Sequence, residues 1–163
     1  MDPAITIRRV QAGDGPTLYD FWDVLSQASK RTFAPFGANP TLDQYEEVVN
    51  ANAPAAETKY DLVAIKGATI IGWSFVWALN STAPHEPVFG LGVADAFHGQ
   101  GVGSQLMDSV LAAMRQRGMP RLYLTVVTDN NKAWQLYGRR GFVRYDEFSG
   151  PDGLAFYRMA LSF

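Results

Sequence analysis

Apolar residues recur along this chain in two periods, and the switches between them lay out an element order. Ile5 and Ile7 alternate with polar neighbours across residues 4–10, the period of a strand. Glycines at 13 and 15 break that run. Leu18, Phe21, Trp22 and Leu25 then return at helical spacing and predict one helix reaching about residue 29. Residues 31–40 hold two prolines and a glycine and read as loop. Thr41 is a good N-cap for a second helix to about residue 52, carrying Leu42, Tyr45 and Val48. From Tyr60 the period drops to two. Residues 62–65 and 69–79, joined near Lys66-Gly67, predict a hairpin, and residues 88–94 another strand beyond a polar connection. Val102, Leu106, Val110 and Met114 share one face of a helix over residues 101–117, which Gly118 and Pro120 end. Residues 122–127 form a continuous apolar run, the mark of a strand buried on both faces. Residues 131–140 predict a short helix stopped by Gly141, and residues 142–148 and 154–161 a last hairpin.

The order β-α-α-β-β-β-α-β-α-β-β predicts an α/β (α+β) domain. Its sheet is mostly antiparallel, with a parallel step across the helix over residues 101–117. A chain of 163 residues fits one domain, residues 1–163, with room for a sizeable core. Its net charge of -2 gives no basic footprint, so no nucleic-acid partner is expected. The absence of cysteine excludes disulfides, thiolate metal sites and a cysteine nucleophile, and fits a cytoplasmic protein. His85 and His98 stand too far apart in sequence to suggest a metal site. No apolar run approaches membrane-spanning length, and no signal peptide is evident, so no membrane is expected.

Candidate chemistry concentrates in Phe97-His98-Gly99-Gln100-Gly101-Val102-Gly103-Ser104, three alternating glycines between a strand and a helix. Glycine permits positive φ and close backbone approach to a ligand, and the following helix N-terminus attracts an anion. The spacing fits neither a dinucleotide-binding G-x-G-x-x-G nor a P-loop.

Together with Leu91-Gly92-Val93-Ala94-Asp95, Asn131-Lys132-Ala133, Leu136-Tyr137 and Gly141-Phe142, this loop resembles the GCN5-related N-acetyltransferase (GNAT) superfamily. That family's acetyl-CoA loop reads Q/R-x-x-G-x-G/A. Gly101 and Gly103 match it, while His98 replaces the usual Gln or Arg. The resemblance spans roughly residues 60–163, and the preceding β-α-α order agrees with it. It implies a mixed sheet of about seven strands flanked by about four helices.

By this resemblance, the segment from His98 through Gly99, Gln100, Gly101, Val102, Gly103 and Ser104 holds the pyrophosphate of coenzyme A. Leu91, Gly92 and Val93 pair with its pantetheine arm, the Val93 N–H serves the thioester oxygen, and Asn131 contacts the cofactor. A neutral histidine offers one donor and no charge where arginine offers five, so His98 implies weaker, pH-sensitive cofactor binding. Tyr137 takes the general-acid position. Glu86 and His85 are the leading candidates for the base, with Asp129, Tyr145 and Glu147 behind them.

The implied activity is acetyl transfer from acetyl-CoA to a primary amine, by direct attack in a ternary complex. A non-catalytic acyl-CoA sensor, or a transferase of a longer acyl group, are the alternatives. Phe33 and Phe36, apolar residues in a loop, are candidate acceptor contacts. The alternating Trp73, Phe75 and Trp77 read as core. The final hairpin, ending in Met159, Leu161 and Phe163, suggests an edge for a homodimer.

Overall fold

The computed structural model describes residues 2–163. Strand β1 (Ile5–Arg9) leads into α1 (Gly15–Asp23), and here the first long helix predicted from the sequence divides in two. Ser26 takes extended backbone and accepts the Ser29 amide on its hydroxyl, opening a separate helix α2 (Gln27–Thr32). Leu25 lies in the connection yet is buried, so the apolar period runs on through the break. Helix α3 (Leu42–Ala51) starts as expected, with Thr41 and Gln44 forming a reciprocal capping box.

The hairpin β2 (Lys59–Lys66) and β3 (Thr69–Trp77) follows, then β4 (Val88–Val93) and α4 (Val102–Gln116). Strand β5 (Arg121–Val127), α5 (Asn131–Arg139) and the hairpin β6 (Val143–Ser149) and β7 (Ala155–Ser162) complete the chain. The seven strands form one sheet in the order β1-β2-β3-β4-β5-β7-β6. Every pairing is antiparallel except β4 with β5.

Both faces of the sheet are covered. Helix α4 lays Leu106, Met107, Val110 and Met114 on one face, where Tyr137 and Phe142 join the same core. It comes close because Gly72 of β3 has no side chain: a Cβ there would lie 2.7 Å from Leu106 Cδ1. Helices α1 and α3 cover the other face with Leu18, Phe21, Tyr45 and Val48 against Trp73 and Phe75. Trp73 and Phe75 of the aromatic stripe are core, as its period of two predicts, while Trp77 is half-buried at the edge of that core.

Beneath that second core, Asp61 is wholly buried and saturated with donors. Its Oδ1 accepts Asn52 Nδ2 at 2.9 Å and Trp77 Nε1 at 3.2 Å, while Oδ2 accepts Trp73 Nε1 at 2.7 Å. Asp61 thereby fixes the indoles of both tryptophans.

The final hairpin supplies one edge of the sheet, β6, and β1 forms the other, but most of the hairpin's apolar end is not at that edge. Met159 and Leu161 belong to β7, which lies between β5 and β6, and both are buried; only Phe163 is exposed. Among the described residues no helix is long and apolar enough to cross a membrane.

Candidate active site

The parallel step opens the site. Strands β4 and β5 share a single paired position, Val88 with Tyr123, and the Tyr123 N–H donates to the Pro87 carbonyl at 2.9 Å. Beyond that point they part. The Ala94 N–H donates to Ile71 O of the β3 side at 2.8 Å. Backbone groups alternate along a strand, so the N–H groups of Leu91 and Val93 face the gap instead.

Glycines on β4 make room for the wall behind the gap. A Cβ on Gly90 would sit 2.2 Å from Phe75 Cζ, and one on Gly92 would sit 2.7 Å from Phe33 Cδ1. The two glycines that weaken this strand are thus required by the aromatic rings packed beneath it.

The gap widens into a cleft of about 2010 Å³. One arm runs along Leu91, Gly92 and Val93 to His98, Gly99, Gly101, Val102, Gly103 and Ser104. Gly101 caps α4 with φ +81 and no side-chain cap, leaving the first amides of α4 without partners. Such an end favours an anion. Gly103 is less constrained: its Cβ would make only ordinary contacts, 3.5 Å from Val93 and 3.6 Å from Leu91. Gln100 does not line the cleft; its amide turns back to donate to Ala96 O at 3.3 Å.

His98 Nε2 lies 2.8 Å from Val93 O. A carbonyl oxygen only accepts, so Nε2 must carry the hydrogen. A neutral His98 therefore presents a bare Nδ1 lone pair to an approaching phosphate, and only the cation presents a second donor. Asp95, with Oδ1 3.9 Å from Nε2, is the carboxylate paired with the ring. Arg supplies both charge and donors. On the resemblance to acetyl-CoA loops, His98→Arg is expected to tighten coenzyme A binding about tenfold at pH 7.5, on the scale of one charge-assisted hydrogen bond. Isothermal titration reads this, and an unchanged affinity would show that the position does not meet the phosphates.

Asp95 also joins the two arms. Its Oδ2 accepts the Ser26 amide at 2.7 Å and its Oδ1 accepts the Ser29 hydroxyl, tying α2 to the glycine loop. Those bonds hold the carboxyl below its usual range. Sequence reading missed this residue because its partners lie almost seventy positions away.

Tyr137 lines the cleft from α5, with its ring edge-on to Phe89 and Phe142. Burial pushes its phenol up to about 12. Its hydroxyl makes no hydrogen bond to any described residue. Asn131 stands at the first turn of α5, but its Oδ1 accepts Trp134 Nε1 at 3.2 Å; the cleft is lined by Asn130 instead.

Among the candidate bases, Glu86 alone lines the cleft. His85 Nδ1 meets the Tyr145 hydroxyl at 2.5 Å and its ring stacks on that tyrosine. Asp129 pairs with Arg31 at 3.0 Å. Glu147 lies on the exposed edge strand β6. The second arm of the cleft, along α1, α2 and the loop after it, is lined by Trp22, Asp23, Phe33, Lys59, Trp77 and Glu86. Phe33 forms its buried floor, packed on Trp73 and Phe75. Phe36 turns inward, stacked on Trp77 and edge-on to Tyr45, and does not line the cleft.

Residues 22–142 match the model of the acetyltransferase (GNAT) family. The chain is 37% identical over 94 residues to a mycothiol acetyltransferase of Jonesia denitrificans, covering 54% of this chain and 29% of that protein. It is 36% identical over 96 residues to the N-alpha-acetyltransferase RimI of Mycobacterium tuberculosis, covering 55% of this chain and 59% of that one. The chain thus spans less than two thirds of either relative. A crystal structure of an acetyltransferase of the GNAT family from Streptococcus pneumoniae superposes with a TM-score of 0.82 at 22% identity, covering 98% of this chain and 99% of that one.

Proposed function

Because the chain belongs to the acetyltransferase (GNAT) family, we propose that it transfers an acetyl group from acetyl-CoA to a primary amine by direct attack in a ternary complex. The observation that carries this reading is the opened β4–β5 step. Unpaired strand amides there run directly into the uncapped N-terminus of α4, as a ligand with an amide-bearing arm and a pyrophosphate requires.

Acetyl-CoA supplies a thioester carbonyl open to amine attack, with a thiolate as the leaving group. Val93 and Leu91 offer N–H donors where charge develops on the carbonyl oxygen. The α4 amides of Val102, Gly103 and Ser104 hold the pyrophosphate, with Gly99 and Gly101 providing the positive φ that shapes the loop. Tyr137 keeps its proton at every working pH and delivers it to the sulfur as the C–S bond breaks. Glu86 accepts one proton from the acceptor's ammonium, directly or through a water, so that the neutral amine attacks; the second proton, lost from nitrogen as the C–S bond breaks, replaces the one Tyr137 gives to sulfur.

A lysine-like ammonium of pKa about 10.4 costs roughly 4.6 kcal/mol to deprotonate at pH 7, and an α-ammonium near 8 only about 1.4. Dependence on Glu86 should therefore be steeper for lysine-like acceptors. Isothermal titration with coenzyme A, followed by thiol release from acetyl-CoA across an amine panel, tests the proposal. Micromolar binding and amine-dependent thiol release are expected; no binding at millimolar coenzyme A would overturn it. Binding without amine-dependent release would instead mark a sensor module.

A further inference from the structure

Among the described residues, the acceptor arm holds one cation whose ammonium has neither an ion pair nor a hydrogen bond. Lys59 opens β2 on the same face as Trp77, its cross-strand neighbour. Its Nζ lies 3.8 Å from the centre of a Trp77 ring and 5.6 Å from that of Phe36, and the residue lines the cleft. The other cations of this arm are engaged. Lys30 Nζ donates to the Asp23 carbonyl at 2.8 Å and sits over Trp22, while Arg31 pairs with Asp129. The Lys59 ammonium forms no ion pair or hydrogen bond with any described residue.

The nearest buried carboxylate does not serve it. Asp61 spends its oxygens on Asn52, Trp73 and Trp77. It attracts Lys59 only across space, without an ion pair, and fixes the indole on which the ammonium rests. Burial holds the Lys59 ammonium below its ordinary pKa, outweighing the attraction of the Asp61 and Glu47 carboxylates, neither of which is in contact with it. An aromatic face offsets part of the desolvation. An anion arriving in the cleft would offset much more, because a poorly hydrated cation gains most from a partner.

From this geometry we infer that Lys59 is an acceptor-anchoring residue that binds a carboxylate carried by the amine substrate. This rests on the acetyl-transfer reading and names the substrate class for the same cleft. Register sets the scale. Lys59 stands opposite Trp77, and Trp77 opposite Val88, so Lys59 is two strands from β4. The Leu91 amide lies three residues further along β4. Two strand spacings are about 9.6 Å and three residues about 10 Å, less the reach of the lysine stem. The amine and carboxylate of the acceptor are then separated by on the order of 10 Å. Such a span suits a long ω-amino acid better than an α-amino acid. A second ammonium at that distance would be repelled, so diamines should be poor acceptors.

The test uses 6-aminohexanoate and 8-aminooctanoate against the corresponding ω-amino amides, with hexane-1,6-diamine as a cationic control. The readout is kcat/KM from thiol release at pH 7.5. The wild-type protein is expected to prefer each carboxylate over its amide about tenfold. Lys59→Met keeps the stem on Trp77 and should abolish that preference; Lys59→Arg should restore it, and Lys59→Glu should favour the diamine. A purely structural lysine would not respond to charge sign in this way. The N-acetylated products give a readout without turnover. Calorimetry on the coenzyme A-loaded protein should show N-acetyl-6-aminohexanoate binding about tenfold more weakly to Lys59→Met. Turnover without carboxylate preference, or equal product binding by wild type and Lys59→Met, overturns the inference. Lys59-dependent product binding with no turnover of any amine would uphold it and count against acetyl transfer.

Discussion

Replacing Tyr137 by phenylalanine should lower kcat by about 10²- to 10⁴-fold, the range for loss of a positioned general acid. Coenzyme A affinity should stay within about threefold, because the proposed pyrophosphate site lies on α4 rather than α5. The melting temperature should move little, since the hydroxyl has no hydrogen bond to lose and the ring keeps its edge-on contacts with Phe89 and Phe142. The raised phenol sharpens the expectation. A group pushed up to about 12 stays protonated at any working pH, so the alkaline limb of the rate profile belongs to other groups. Against a thiol near 8.5, proton transfer is uphill by about 3.5 units, or roughly 5 kcal/mol. The same buried surroundings raise the departing thiol and narrow that gap. Tyr137 therefore acts only where sulfur sits against its hydroxyl as the bond breaks. Single-turnover kinetics with acetyl-CoA and a reactive amine make the comparison. A Tyr137→Phe enzyme with more than half the wild-type kcat would remove the tyrosine from the mechanism.

The second large effect is on stability. Asp61→Asn should destabilise the fold by about 2 kcal/mol at pH 7, because an amide nitrogen would face indole donors that now meet a carboxylate oxygen. The penalty should rise to about 5 kcal/mol near pH 4, and the sign follows from burial. Burial pushes the Asp61 carboxyl up to about 6, against about 3.9 for an unstrained aspartate. Between these values the folded state binds the proton more tightly than the unfolded state. The stabilisation from that proton is present below about pH 4 and is lost as pH rises through 6. It amounts to about 3 kcal/mol for two pKa units. Asp14, Glu57 and Asp95 pull the other way. Their carboxyls are lowered in the fold, so their stabilisation is lost as pH falls. They are present in both proteins and cancel in the comparison. Urea unfolding of wild type and Asp61→Asn at pH 4, 5, 6 and 7 reads the difference. A penalty that grows with rising pH would show that the buried carboxyl is held ionised instead.

The outcome bears on function as well as stability. Asp61 fixes Trp77, on which Lys59 rests, so a loosened Asp61 network should blur acceptor selection before it reaches the coenzyme A arm.

Much of the fold was legible because its signals are local. The face of Val102, Leu106, Val110 and Met114, the Thr41 cap and the glycines at 99 and 101 each act within a few residues. The loop was legible for the same reason, since positive φ and an uncapped helix start are properties of one short segment. The misread helix break at Ser26 arose where a buried Leu25 continued the apolar rhythm across a cap. The burial of Met159 and Leu161 was not legible, because an apolar strand end reads alike whether a neighbour covers it or not. Strand β6 covers β7, and that pairing is set by register rather than composition.

The sequence by itself determined the element order apart from the break at Ser26, the glycine turn before α4 and the apolar character of the aromatic stripe, because periodicity and backbone freedom are written in adjacent residues. Only the tertiary structure decided which groups face the cleft. It engaged His85 with Tyr145, turned Phe36 onto Trp77, set Asn130 rather than Asn131 on the wall, and tied α2 to the loop through Asp95. Those placements depend on contacts between residues far apart in the chain, where packing and hydrogen-bond satisfaction choose among side chains that sequence alone leaves equivalent.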